Sequence, residues 1–151
     1  MRSDASWFGR RVWTPGAAAA ALPLVRRIVD DLVDRYRRWS ETVEAFEYAA
    51  GAARAGEADG TAERLMGDAQ ALAGEIDGLR DELEALDIRV TRVDRGLVAF
   101  RGESEGQVVP IFWAPEMPAP SYNWPDSVPA YGTSVSWPSR AQVVAGKRSR
   151  A

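Results

Sequence analysis

Val25-Arg26-Arg27-Ile28-Val29-Asp30-Asp31-Leu32-Val33-Asp34-Arg35-Tyr36-Arg37-Arg38-Trp39-Ser40-Glu41-Thr42-Val43-Glu44-Ala45-Phe46 is the stretch that decides the fold. Within it Val25, Val29, Leu32, Tyr36, Trp39, Val43 and Phe46 recur at intervals of four and three. After a break at Gly56-Glu57-Ala58-Asp59-Gly60 the rhythm returns in Leu65, Ala69, Leu72, Ile76, Leu79, Leu83 and Leu86. A period of about 3.5 residues keeps one helical stripe facing a partner helix. Two stripes of equal length joined by a short polar break predict an antiparallel two-helix coiled-coil hairpin over 14–87. Folding about the break sets Phe46 near Leu65, Trp39 near Leu72, Leu32 near Leu79 and Val25 near Leu86. An intermolecular coiled coil is the rival arrangement.

Upstream, Thr14-Pro15 is a helix start: a hydroxyl caps free N–H groups, and proline needs no donor at the first helical position. Pro23 is expected to bend this helix or restart it, because an interior proline loses a hydrogen bond. A second stripe, Gly67, Ala71, Gly74 and Gly78, runs along the second helix. It reads either as room for Tyr36, Trp39 and Phe46 across the seam, or as an interaction edge for a third helix or a second subunit.

Downstream the period changes. Ile88, Val90 and Val93 suggest a short strand, Arg95-Gly96 a turn, and 97–101 with 108–113 a hairpin around a five-residue loop, Gly102 to Gly106. Pro110 pushes the last strand to an edge or a bulge. Cover for this sheet is expected from 17–24 or the base of the helical hairpin. From Ala114 to Pro138, prolines alternate with Tyr122, Trp124, Tyr131 and Trp137, which predicts an extended wrap over the sheet. Residues 139–151 are expected to be a disordered tail. The fold class is α+β: a long antiparallel helical hairpin, a small antiparallel β-sheet and a Pro/aromatic-rich C-terminal wrap, in one domain over 1–151.

Composition restricts the chemistry. The chain has no Cys and no His, which removes thiol nucleophiles, zinc sites and the usual general base at neutral pH. Carboxylate pairs such as Asp30-Asp31, Asp81-Glu82 and Glu103 with Glu105 lie outside the apolar seam or in a polar loop. They read as solvated surface charge and leave open only a hard-cation site. No phosphate-binding glycine loop or nucleophile elbow occurs, and Lys147 is the only lysine. No catalytic residue, cofactor or metal is expected, and the favoured reading is non-enzymatic. Residues 23–87 carry eight basic and sixteen acidic side chains, a poor surface for phosphate backbones, so no nucleic acid is expected. No apolar run reaches the ~20 residues that span a bilayer. Arg10-Arg11 before Ala17 to Val25 imitates an export signal, but Thr14-Pro15-Gly16 interrupts it and no cleavage site follows, so a cytoplasmic setting is expected.

Several elements together resemble a bacterial family known as domain of unknown function 2203. They are Leu22-Pro23-Leu24-Val25-Arg26-Arg27 leading into a long hairpin, then Asp94-Arg95-Gly96-Leu97-Val98-Ala99-Phe100, a glycine-containing loop and a strand ending at Trp113. A segment from Pro115-Glu116 to the second tryptophan, Trp124, completes the likeness over about 12–132. The resemblance implies the fold and a cytoplasmic bacterial protein, and it conveys no activity. Family members place His and Glu after the second tryptophan; here those positions are Pro125 and Asp126, so a site relying on that His is absent.

Two functions follow as expectations. The first is a protein-interaction or self-association module using the hairpin surface. The second is a small anionic ligand held at the base by Arg95, Trp113, Tyr122 and Trp124, where guanidinium and rings could grip a carboxylate or phosphate. Alternatively, Arg95 pairs with Asp94, Glu116 or Asp126 and pins its turn.

Overall fold

The computed structural model describes residues 11–129. Two helices, α1 (Pro15–Arg54) and α2 (Thr61–Glu84), precede three strands, β1 (Ile88–Arg92), β2 (Leu97–Ser104) and β3 (Gln107–Trp113). The expected α+β architecture is present: a long helical hairpin followed by a small antiparallel sheet.

At the start of α1 the Thr14 hydroxyl accepts the Ala17 N–H at 3.1 Å, and Pro15 takes the first helical position. Of the two outcomes expected at Pro23, a bend or a restart, the restart does not occur: α1 runs through it without interruption. Pro23 and Ala19 are both exposed, so the Ala19 carbonyl that loses its donor is left to water. Gly56 and Gly60 adopt positive φ (96° and 85°) in the connection, and Asp59 Oδ1 then accepts the Thr61 N–H at 3.0 Å. The hydrogen bonds from Thr61 hold the Asp59 carboxyl below its ordinary pKa. At its far end α2 stops at Glu84, three residues short of expectation. Asp87 is instead left-handed (φ 61°) and buried, and its carboxylate accepts the Arg11 N–H at 2.9 Å.

The described residues divide into two compact units, one of 11–33 and 79–129, the other of 34–78. In the first, β2 is the central strand, with β1 and β3 antiparallel on either side. Register puts Ile88 and Ile111 opposite Phe100, and Val90 and Trp113 opposite Val98, so these side chains share a face. Part of its cover comes from α1 within 26–33. The Arg26 guanidinium lies 4.9 Å from the Trp113 ring centre, and Val29 and Val33 press on Gly96. Trp13 packs edge-on against Phe100 and pairs with β2 beyond the end of β1. The opposite face carries Leu97 and Phe112 and is covered by the wrap: Ala114, Met117, Trp124 and Val128. Ser121 bridges to Phe112 in both directions. The rest of the expected wrap, and the tail over 139–151, lie outside the described residues.

The β2–β3 loop is shorter than expected. Ser104 pairs with Gln107, leaving Glu105 (φ 52°) and Gly106 (φ 78°) as a two-residue turn with both φ positive, the geometry that matches strand twist. Gly102 lies inside β2, where a Cβ would come within 2.8 Å of the Val109 carbonyl oxygen. Pro110 lies on edge strand β3, as its missing N–H requires.

In the second unit α1 and α2 run side by side. Arg35 Nε donates to Glu75 Oε1 at 2.7 Å, within a residue of the register that places Trp39 opposite Leu72. The seam on α2 differs from the expected stripe. Met66, Ala69, Ala73 and Ile76 are buried, whereas Leu65 and Leu72 are only half-buried. At about 100° per residue, both sets share the Ala69–Ile76 line and differ in the flank that is closed.

Candidate functional site

The four residues expected at the base do not present a common open surface. Trp113 has no exposed surface; Arg26 stacks on it and its indole N–H donates to the Met117 carbonyl at 3.2 Å. Trp124 is half-buried, edge-on to Phe112 at 5.2 Å, and its N–H donates to the Val128 carbonyl at 2.8 Å. Tyr122 is exposed. Arg95 is exposed too, and its guanidinium donates to the Ser127 carbonyl at 3.3 Å. Asp94, one of its expected partners, is held instead by buried Arg92 through two hydrogen bonds of 3.0 and 3.1 Å. Glu116 Oε2 accepts the Ser127 hydroxyl at 2.8 Å. The polar tips of this region are thus used largely to fasten the wrap to itself.

At Gly67 and Gly78 the small-residue stripe faces open space. Nothing lies within 4 Å of a Cβ built on Gly67 or Gly78. A seam centred on Ala69 and Ile76 turns 67, 74 and 78 away from α1, by the same angular step, and leaves 71 at the edge of the face between the arms. The small residues that line the seam are Ala69 and Ala73. Gly67, Ala71 and Gly78 are exposed and Gly74 is half-buried.

Between the arms of the second unit lies a groove of about 440 Å³, walled by Arg38, Glu41 and Thr42 of α1 and by Asp68, Ala71, Leu72 and Glu75 of α2. Of the residues expected to act, Ala71 alone lines it. Leu72 borders it on the same flank as Leu65, and both are half-buried. The α1 wall carries both signs, Arg38 beside Glu41, and Arg38 belongs to a cluster just outside the groove. Asp34 is shared by Arg35 and Arg37, both at 2.8 Å, and by Arg38 at 3.4 Å. Desolvation pushes the Asp34 pKa up, but the hydrogen bonds from Arg37, Arg38 and Arg35 outweigh it, and the carboxyl stays below its ordinary value. The Arg35 pKa is raised, first by its hydrogen bond to Glu75. The α2 wall is acidic: Asp68 and Glu75 line it, and between Arg64 and Arg80 there is no basic residue.

Sequence reasoning missed this groove because it assigned Leu72 to the closed seam. The signal that could have found it is the pair of overlapping stripes on α2, which compete for one buried face. Among the described residues no three carboxylates converge to hold a metal ion, and no helix is long and apolar enough to cross a membrane.

A long helical hairpin followed by a three-stranded antiparallel meander under an aromatic wrap defines the class of this protein. Residues 11–122 match the family described as uncharacterized conserved protein (DUF2203), and the chain belongs to it. The match ends before Trp124-Pro125-Asp126, where the sequence departs from the resemblance. No curated protein and no solved structure matches the chain.

Proposed function

We propose that the chain is a non-catalytic protein-interaction or assembly module acting through the groove face of its helical arms. One observation carries this reading. On α2 the small Ala69 and Ala73 are buried to 1% and 0% exposure, while the larger Leu65 and Leu72 remain half-buried beside the groove. Each buried methylene is worth about 0.8 kcal/mol, so a helix that buries alanines and leaves leucines on its flank has apolar surface for another chain to cover. Small-anion binding at the base has weaker support, because Trp113 offers no surface and the indole N–H groups of both tryptophans are occupied.

The test is site-specific photo-crosslinking in the producing cell, with a benzophenone analogue of phenylalanine replacing Leu72 or, as control, Glu57. A protein adduct is expected from position 72 and not from 57, and Ala45→Arg, which crowds the same face, should abolish it. No adduct at 72, or one indifferent to Ala45→Arg, overturns the reading.

A further inference from the structure

The groove between the arms carries more acid than base, and an apolar side chain short of cover. Glu41, Asp68 and Glu75 line it against Arg38 alone, with Ala71 and half-buried Leu72 among them. Three of these charges are already engaged: Glu75 with Arg35 at 2.7 Å, Arg38 with Asp34 at 3.4 Å and Glu41 with Arg37 at 3.4 Å. Asp68 takes part in no ion pair among the described residues. Around the groove, 34–78 carries ten acidic and five basic side chains, so the arm unit as a whole attracts cations. An occupant of this groove needs cations with a short apolar stretch between them.

A segment outside the described residues has that composition. Residues 139–151 carry Arg140, Lys147, Arg148 and Arg150 and no acidic residue, and Val143-Val144-Ala145 lies between the first two cations. We propose that this segment occupies the groove of its own chain and is displaced from it by the partner. The proposal rests on the reading of the groove as an interaction face and adds its regulation. The spacing matches: Asp68 and Glu75 are seven residues apart on α2, and so are Arg140 and Lys147. Two turns of helix span about 10.5 Å. Taken up as helix along α2, the segment sets one cation at each carboxylate and Val143-Val144 over Leu72 between them. Nine residues, 130–138, tether it to Pro129 and reach up to about 30 Å when extended. Docking is then intramolecular, at an effective concentration on the order of millimolar, and few contacts suffice. A partner that brings more apolar surface than two valines gains more from covering Leu65 and Leu72, and so displaces the segment.

Lys147 is the only lysine of the chain, which makes the contact readable by zero-length coupling. A carbodiimide joins a lysine amine to a carboxylate that touches it, and peptide mapping of the purified full chain locates the bond. Lys147 is expected to couple to Asp68, Glu41 or Glu75 about fivefold or more above Glu103 and Glu105 of the exposed β2–β3 turn. Ala71→Arg, which puts bulk and a cation into the groove, should lower that coupling by about fivefold while circular dichroism shows unchanged helix. Coupling spread evenly over the carboxylates, coupling indifferent to Ala71→Arg, or a bond formed only between isotopically labelled and unlabelled chains overturns the inference. In the cell, deleting 139–151 should raise the protein adduct at position 72 by about threefold or more, because the competitor at high effective concentration is gone. An unchanged yield overturns the displacement. If Lys147 shows no preference while position 72 still captures a protein, the segment is refuted and the interaction reading survives. If position 72 captures nothing even in the shortened chain, that reading falls and the displacement falls with it.

Discussion

The unit built on the sheet and the unit built from the arms carry the same heptad rhythm on α1, yet they bury it to different extents. In the sheet unit Val25, Val29 and Leu32 are fully buried, as are Phe100, Ile111 and Trp113. In the arm unit the continuation of that stripe, Tyr36, Trp39, Val43 and Phe46, is only half-buried. The difference lies in the number of layers. In the sheet unit α1 faces β-strands whose other side is sealed by the wrap. Among the described residues each helix of the arm unit has one neighbour, and a single helix–helix seam cannot enclose aromatic rings. Hydrophobic periodicity specifies which residues seek cover, and the number of neighbouring layers decides whether they find it.

The same substitution in the two regions gives the largest expected contrast. Phe100→Ala should cost about 3–5 kcal/mol in denaturant unfolding, as full truncation of a buried ring does. Phe46→Ala, in the half-buried stripe, should cost roughly half as much or less when measured in dilute protein. Equal losses would break the distinction between the units. Next comes Gly96→Ala. Gly96 has φ 67°, and a Cβ there would sit 2.8 Å and 2.9 Å from the methyls of Val29 and Val33. Left-handed strain and overpacking together should cost about 2–4 kcal/mol. Open Gly78 has no neighbour within 4 Å of such a Cβ, so Gly78→Ala should instead be neutral or mildly stabilising through helix propensity.

The tight β2–β3 turn provides a smaller effect. Glu105→Asn would create the Asn-Gly pair suited to two positive φ values and should raise stability by about 0.5–1 kcal/mol. A loss there would contradict the turn geometry. The smallest effect concerns the arms. Because the folded Asp34 pKa is depressed, its contribution is present above the unfolded value of about 3.9 and disappears as pH falls through the folded one. Wild type should therefore melt above Asp34→Asn near neutral pH, and the gap should close on acidification; a gap unchanged by acid would mean that the arginine cluster does not hold that carboxylate.

Much of this fold was legible in the sequence, for identifiable reasons. The 3.5-residue repeat located both helices, and its pairing of Trp39 with Leu72 agrees to within a residue with the observed contact of Arg35 and Glu75. Alternation and the Arg95-Gly96 turn located the strands. No restart occurs at Pro23, because propensity describes an average helix interior, whereas here the carbonyl left without a donor belongs to an exposed residue. The loop at 102–106 was overestimated because Gly102 looks like a turn residue; it is needed where the Val109 carbonyl and Ile111 come too close for a Cβ. The candidate site was less legible. Which flank of α2 closes depends on how α1 seats against it, a tertiary choice that stripes sharing Ala69 and Ile76 leave undecided. Trp113 and Trp124 looked available because sequence does not show that their N–H groups meet local carbonyls four residues on.

Amide hydrogen exchange, followed by mass spectrometry on the purified chain and on the chain in extract of the producing cell, tests most directly whether another chain supplies the cover that the arms lack. The expected result is that protection over 34–54 and 61–78 is greater in the extract, while that of the strands over 88–113 stays the same. Arms equally protected in both would contradict the account.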